Sequence, residues 1–138
     1  MNIAICGSMQ FYKEMREIKK TLTDMGHSVS VPMGDYEGVP VEARDDLSKE
    51  ELIAAKIEYD FIRNHFRNIE KAEAILIINY PKKNIDGYIG GNTFLEMGYG
   101  FGLRKKIFLL FPLPDMDYSA EMHAMQPIVL DGDLGKIE

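Results

Sequence analysis

Ala74-Ile75-Leu76-Ile77-Ile78-Asn79 is a continuously apolar run, rich in β-branched residues. A strand apolar on both faces is one covered on both faces, as in the centre of a parallel sheet. Working outward, Tyr80 to Gly91 forms a polar, glycine-containing loop at its carboxyl end. A helix is then expected from Asn92 or Thr93 to near Arg104-Lys105-Lys106, followed by a strand over 107–111. The basic triplet suits the negative end of a helix dipole and is not read as a nucleic-acid patch.

The amino-terminal half has the same grammar. Asn2-Ile-Ala-Ile-Cys6 is a short apolar strand ending at Gly7. Phe11, Met15, Ile18, Leu22 and Met25 recur at steps of three and four and so make one helical stripe. Gly26 is placed to end that helix, and Val29-Ser30-Val31 is the next strand, stopped by Pro32. Ser48 with Glu51 signals another helix start, predicted to run unbroken to about Lys71. Leu52, Ala55, Tyr59, Ile62, Phe66 and Ile69 form one stripe on it. Ile53, Ile57 and Phe61 form a second on the opposite side, which a homodimer contact would explain. Pro112 and Pro114 break the 107–111 strand, a short helix is expected within 115–126, and a last strand over 127–130. The fold class is therefore α/β: one domain over residues 1–138, a doubly wound, flavodoxin- or Rossmann-like parallel sheet of about five strands, helices on both faces.

Composition narrows the function. At 138 residues and 46% hydrophobic content the chain suits a single core. A net charge of −6 argues against a nucleic-acid polymer as partner, while leaving room for a single nucleotide. Cys6 is the one cysteine, so no intrachain disulfide forms, and a buried inert thiol is expected. No four-residue set of Cys and His has zinc-ligand spacing, and neither a metal nor a redox cofactor is expected. No segment is long and apolar enough to span a membrane, and the amino terminus enters a strand pattern without a signal peptide. A cytoplasmic protein is expected.

Candidate site residues lie after the strands, where α/β folds bind ligands. The Gly7-Ser8 turn can hold a phosphate through its amides and hydroxyl, or Ser8 can serve only as a helix cap. No dinucleotide fingerprint or P-loop is present. Glu96, placed in the first turn of its helix, is a carboxylate that can face a ligand. Thr93-x-x-Glu96 is equally a capping box without chemistry. Asp86 lies in the loop that approaches the same cleft. Asp60, Arg63, Asn64 and His65 put polar groups on the long helix, His65 being structural or catalytic. Residues 33–48, with Tyr36, show no period and suit a lid, a binding loop or partial disorder.

The first strand with Gly7-Ser8, the strand 74–79, and Asn92-Thr93-x-x-Glu96-Met97-Gly98-Tyr99 before Lys105-Lys106-Ile107 together resemble the nucleoside 2-deoxyribosyltransferase family. That family includes relatives that hydrolyse deoxynucleoside 5′-monophosphates. The resemblance covers most of the chain in element order and is concentrated in the glutamate motif. It implies that Glu96 attacks the anomeric carbon; the leaving base then needs a proton, for which Asp86, Asp60 and His65 are the candidates, Asp86 first because its loop follows the central strand. It implies that Gly7, Ser8 and Met9 touch sugar or phosphate, with Gly91 and Asn92 beside them. The substrate would be a nucleoside or nucleotide. It also implies oligomerisation, with a neighbour's carboxyl-terminal region, including Met125 or Glu121, closing the site. Where the family usually has an aspartate in the helix before the central strand, this sequence has His65. Gly90-Gly91-Asn92-Thr93-x-x-Glu96 is also similar, one glycine short, to the G-G-x-G-T-x-x-E motif of the lysine-decarboxylase-like "lonely guy" phosphoribohydrolases. Both resemblances imply cleavage of a base–sugar bond. A non-catalytic nucleotide-binding module and a purely structural domain are the rivals from other classes.

Overall fold

The computed structural model describes residues 1–32, 35–36, 39–40 and 47–138. The segment 33–48, read from the sequence as a lid, a binding loop or partly disordered, falls largely outside them, the Tyr36 side chain included. In chain order the elements are β1 (Asn2–Cys6), α1 (Tyr12–Asp24), β2 (Ser28–Ser30), β3 (Asp35–Tyr36), β4 (Val39–Pro40) and α2 (Lys49–Glu58). They continue with α3 (Phe61–Lys71), β5 (Ala74–Ile77), α4 (Gly91–Gly102), β6 (Lys106–Leu109), α5 (Ser119–Ala124) and β7 (Ile128–Val129).

The main sheet has five strands in the order β2-β1-β5-β6-β7. Every neighbouring pair in it is parallel. β3 and β4 form a separate antiparallel pair. Because side chains alternate along a strand, the central strands feed two cores. Ile3 and Ile5 of β1, Leu76 of β5 and Phe108 of β6 meet Met15, Ile18 and Leu22 of α1 on one face. Ala4, Cys6, Ile75, Ile77, Ile107 and Leu109 meet Ile69 of α3, Met97 of α4 and Met122 of α5 on the other. This is the doubly wound α/β architecture that the uninterrupted apolar strands predict.

The long helix expected to reach Lys71 is two helices. Asp60 takes a left-handed backbone, φ 51° and ψ 44°, which ends α2 and restarts the chain as α3. Aspartate tolerates that region better than most residues, so no glycine announces the break. The turn changes which residues are core. Phe61, His65 and Ile69 are buried at four-residue spacing, whereas Ile62 is exposed. Phe61 thus leaves the expected outer stripe, and Ile53 and Ile57 remain outside, 47% and 74% exposed.

Past β5, Asn79 holds two loops together. Its amide nitrogen donates to the carbonyls of Phe111 (2.8 Å) and Pro112 (3.2 Å) and, at 3.4 Å, to that of Gly87. Its side-chain oxygen accepts from the Phe111 amide at 2.9 Å. Gly87 is essential here: it has φ +69°, and a Cβ would stand 2.3 Å from the Pro112 carbonyl oxygen.

Candidate active site

The sheet order reverses direction between β1 and β5, and the loops leaving their carboxyl ends diverge to make a crevice. Gly7 and Ser8 line it from β1, and Lys82, Tyr88 and Gly90 from the β5 loop. The start of α4 (Gly91, Asn92, Thr93) and Leu52 and Lys56 of α2 complete a cleft of about 310 Å³. A Cβ at Gly7 would lie 2.7 Å from Ile78 Cγ1, so the close approach of the first loop to β5 requires glycine.

Ser8 caps the short 3-10 turn Met9–Phe11, accepting from the Gln10 amide. It also accepts from Lys82 Nζ at 3.1 Å, so it joins the two loops as well as capping. Opposite them α4 is capped by Gly90, which offers no side-chain hydrogen bond. Its first backbone bond is Phe94 N–H to the Gly90 carbonyl. The amides of Gly91, Asn92 and Thr93 therefore have no acceptor inside the helix, at the positive end of its dipole. Two lysines and these amides make the cleft suited to an anion.

The earlier start of α4 corrects the reading of its glutamate. Glu96 is the sixth helical residue, in the second turn, and Thr93 is not the cap. The expected capping box therefore does not form. Glu96 instead points into the protein: it is 3% exposed, and its Oε2 stands 3.4 Å from Nε2 of His65, 2% exposed. His65 Nε2 lies 3.5 Å from Cys6 Sγ. On the ring's other side Asn68 Nδ2 is 3.2 Å from Nδ1 and donates to the Val31 carbonyl at 3.4 Å. The carbonyl fixes that Asn68 atom as the nitrogen, so Nδ1 accepts and the neutral ring carries its proton on Nε2, toward Glu96 and Cys6. Burial lowers His65 to about 4, against a smaller upward effect from the Ile5 backbone. Burial, then the nearby Glu96 carboxylate, pushes the Cys6 thiol well above its usual range. Imidazole and thiol are both neutral at pH 7.

A second, smaller cavity of about 20 Å³ adjoins Glu96 and His65. It shares Gly7, Met9, Lys56 and Asn92 with the larger cleft and is closed by Phe61, Ile62 and Phe66. In this conformation it has room for about one water.

Of the residues singled out in the sequence, Gly7, Ser8, Met9, Gly91 and Asn92 line the cleft. Glu96 and His65 meet beneath it. Asp86 does not join them: it is exposed, in the turn that follows the Lys82–Ile85 bridge, and lines neither cavity. Asp60 is also turned away, paired with Arg63 (3.5 Å) and Arg67 (3.6 Å). Met125 lies at the opposite, amino edge of the sheet, in a cleft with Phe101, Arg104, Lys105 and Ile128. The sequence reading passed over Lys56, Lys82, Tyr88 and Cys6 as site residues. Lys82 had a signal, following the central strand by a few residues. Cys6 had none, because an apolar strand hides it.

Fold and site together define a doubly wound α/β protein with a cleft at the switch of strand order and a buried carboxylate–imidazole–thiol group below it. A solved structure of a 2-deoxyribosyltransferase from the psychrotolerant bacterium Bacillus psychrosaccharolyticus, described as a biocatalyst for nucleoside synthesis, superposes with a TM-score of 0.50. The match covers 83% of this chain and 74% of that one, at 18% identity. At that identity the likeness establishes the shared fold. No protein-family model matches the chain, and no curated protein matches it in sequence.

Proposed function

We propose that the protein cleaves or transfers the N-glycosidic bond of a nucleoside or nucleoside 5′-monophosphate, with Glu96 as nucleophile. One observation carries this reading: a glutamate held 3.4 Å from a neutral imidazole, beside a cleft suited to an anion, at the strand-order switch. The fold shared with a 2-deoxyribosyltransferase supports it. The substrate's phosphate or 5′-hydroxyl sits against the start of α4, Ser8 and the lysines. Its C1′ is directed to Glu96. The carboxylate attacks C1′, the C1′–N bond breaks with its electron pair on the base, and a glycosyl ester forms, as in retaining glycosidases. Water then completes hydrolysis, or a second base completes transfer.

His65 holds the nucleophile in this scheme. Its Nε2 proton faces Glu96, so it is a positioning residue, and the departing base takes its proton from water in the cleft. The water-sized space beside Glu96 adds a requirement: Met9 or the α2–α3 corner moves outward for a sugar to enter. The test is chromatographic. Wild type is incubated with nucleosides and their 5′-monophosphates, with and without a free acceptor base. Base release or exchange is expected, with Glu96→Gln slower by about a thousandfold or more at unchanged melting temperature. Equal turnover by the two proteins would sink the proposal.

The burial of Glu96 favours one second reading, a nucleotide-binding module that uses the 310 Å³ cleft without chemistry. It predicts saturable nucleotide binding, equal in wild type and Glu96→Gln, and no free base.

A further inference from the structure

Cys6, His65 and Glu96 are far apart in sequence and come from three elements, β1, α3 and α4. Among the described residues their ligand atoms all lie within 4.8 Å of one another, and all three are buried. We propose that this cluster is a binding site for Zn²⁺, held by Cys6 Sγ, His65 Nε2 and a Glu96 oxygen. The fourth position faces the small cavity and takes a water, and the bound ion masks Glu96.

The distances support the donor set. A tetrahedral zinc with Zn–S of about 2.3 Å and Zn–N and Zn–O of about 2.0–2.1 Å has an S···N edge of about 3.6 Å and an N···O edge of about 3.4 Å. The separations here are 3.5 Å from Cys6 Sγ to His65 Nε2 and 3.4 Å from His65 Nε2 to Glu96 Oε2. The third edge, sulfur to carboxylate oxygen, lies within 4.8 Å, and a turn of either side chain would bring it to the roughly 3.6 Å that a tetrahedral zinc requires. One thiolate, one imidazole and one carboxylate suit zinc, whereas magnesium and calcium select oxygen alone. The adjoining 20 Å³ holds the single water that completes four-coordination. Outer contacts fit as well. With the metal on Nε2, the ring proton moves to Nδ1, and Asn68 turns its amide oxygen to accept it, giving up the long bond to Val31. Binding releases the Cys6 thiol proton to solvent, so no other proton is gained or lost.

A carboxylate bound to zinc cannot attack C1′, which makes the ion an inhibitor. That consequence rests on the proposed glycosidic function; the binding itself does not. The experiment is a titration of metal-free full-length protein with Co²⁺, under reducing and oxygen-free conditions. Saturation at one equivalent is expected, with the intense visible bands of a four-coordinate centre and a near-ultraviolet thiolate-to-cobalt band. Zn²⁺ displaces both and raises Tm. Cys6→Ser loses the near-ultraviolet band, and Glu96→Gln, of matched volume, binds cobalt at least tenfold more weakly.

A weak six-coordinate spectrum in wild type overturns the site, as does a charge-transfer band that survives Cys6→Ser. If Cys6→Ser fails to fold, the wild-type spectrum and the Glu96→Gln affinity decide alone. Base release is followed in the same samples. Turnover without a cobalt spectrum overturns the metal site and leaves the glycosidic reading standing. A cobalt spectrum without turnover in the metal-free protein does the reverse. Turnover unaffected by stoichiometric Zn²⁺ that is shown to bind overturns the inhibition.

Discussion

Asn79 illustrates how one polar residue at the end of an apolar strand can organise the ground around a site. It is 1% exposed, and its side chain bonds three carbonyls and one amide. Asn79→Ala leaves those buried and half-buried groups without their partner and is expected to lower unfolding free energy by about 2–4 kcal/mol, read by urea denaturation. Its neighbour Tyr80 sets an alkaline limit. Burial first, then the carboxylates of Glu14 and Glu17, raise the phenol above the usual tyrosine value of about 10. The folded protein therefore keeps this proton where the unfolded chain loses it. The contribution is present in full below pH 10 and fades as pH rises through the folded pKa. Stability is expected to decline more shallowly above pH 10 in Tyr80→Phe, by parallel melts of both proteins.

At the scale of elements, what the sequence made legible was what periodicity can carry. The apolar runs 2–6 and 74–79 hold β1 (Asn2–Cys6) and β5 (Ala74–Ile77) inside the sheet, and the Met15–Ile18–Leu22 stripe is the buried face of α1. The convergence of Gly7, Ser8, Gly91, Asn92 and Glu96 follows from strands that all run one way. What escaped was local backbone geometry. A left-handed aspartate broke a helix that looked continuous, and α4 began at Gly91, moving Glu96 out of the first turn. Neither depends on hydrophobic spacing, the signal being read. The candidate proton donors part from Glu96 for another reason: a loop that follows the central strand brings Asp86 to the right edge of the sheet but does not aim its side chain, which is exposed, while Asp60 turns toward arginines. The β5–α4 loop offers a matched test. Gly87→Ala forces a Cβ against the Pro112 carbonyl at positive φ and is expected to cost about 2–3 kcal/mol or more. Gly91→Ala, with open space around its Cβ, is expected to be neutral or slightly stabilising in the same denaturation series.

For the whole molecule, five parallel strands with α1 on one face and α3, α4 and α5 on the other leave α2 outside both cores. α2 buries no residue and carries Ile53 and Ile57 outward. We expect the protein to sediment as a homodimer through this face, and Ile53→Asp with Ile57→Asp to give a folded monomer. No helix among the described residues is long and apolar enough to cross a membrane. The placement of Cys6 has a practical consequence. The chain's single thiol sits at the carboxyl end of the strand between β2 and β5, with no exposed surface. A bulky alkylating reagent reaches it only when the helices α3 and α4 part from the sheet face that carries it. Its labelling rate in the native protein is thus a clock for the rarest openings, and any ligand that grips the folded state will slow it.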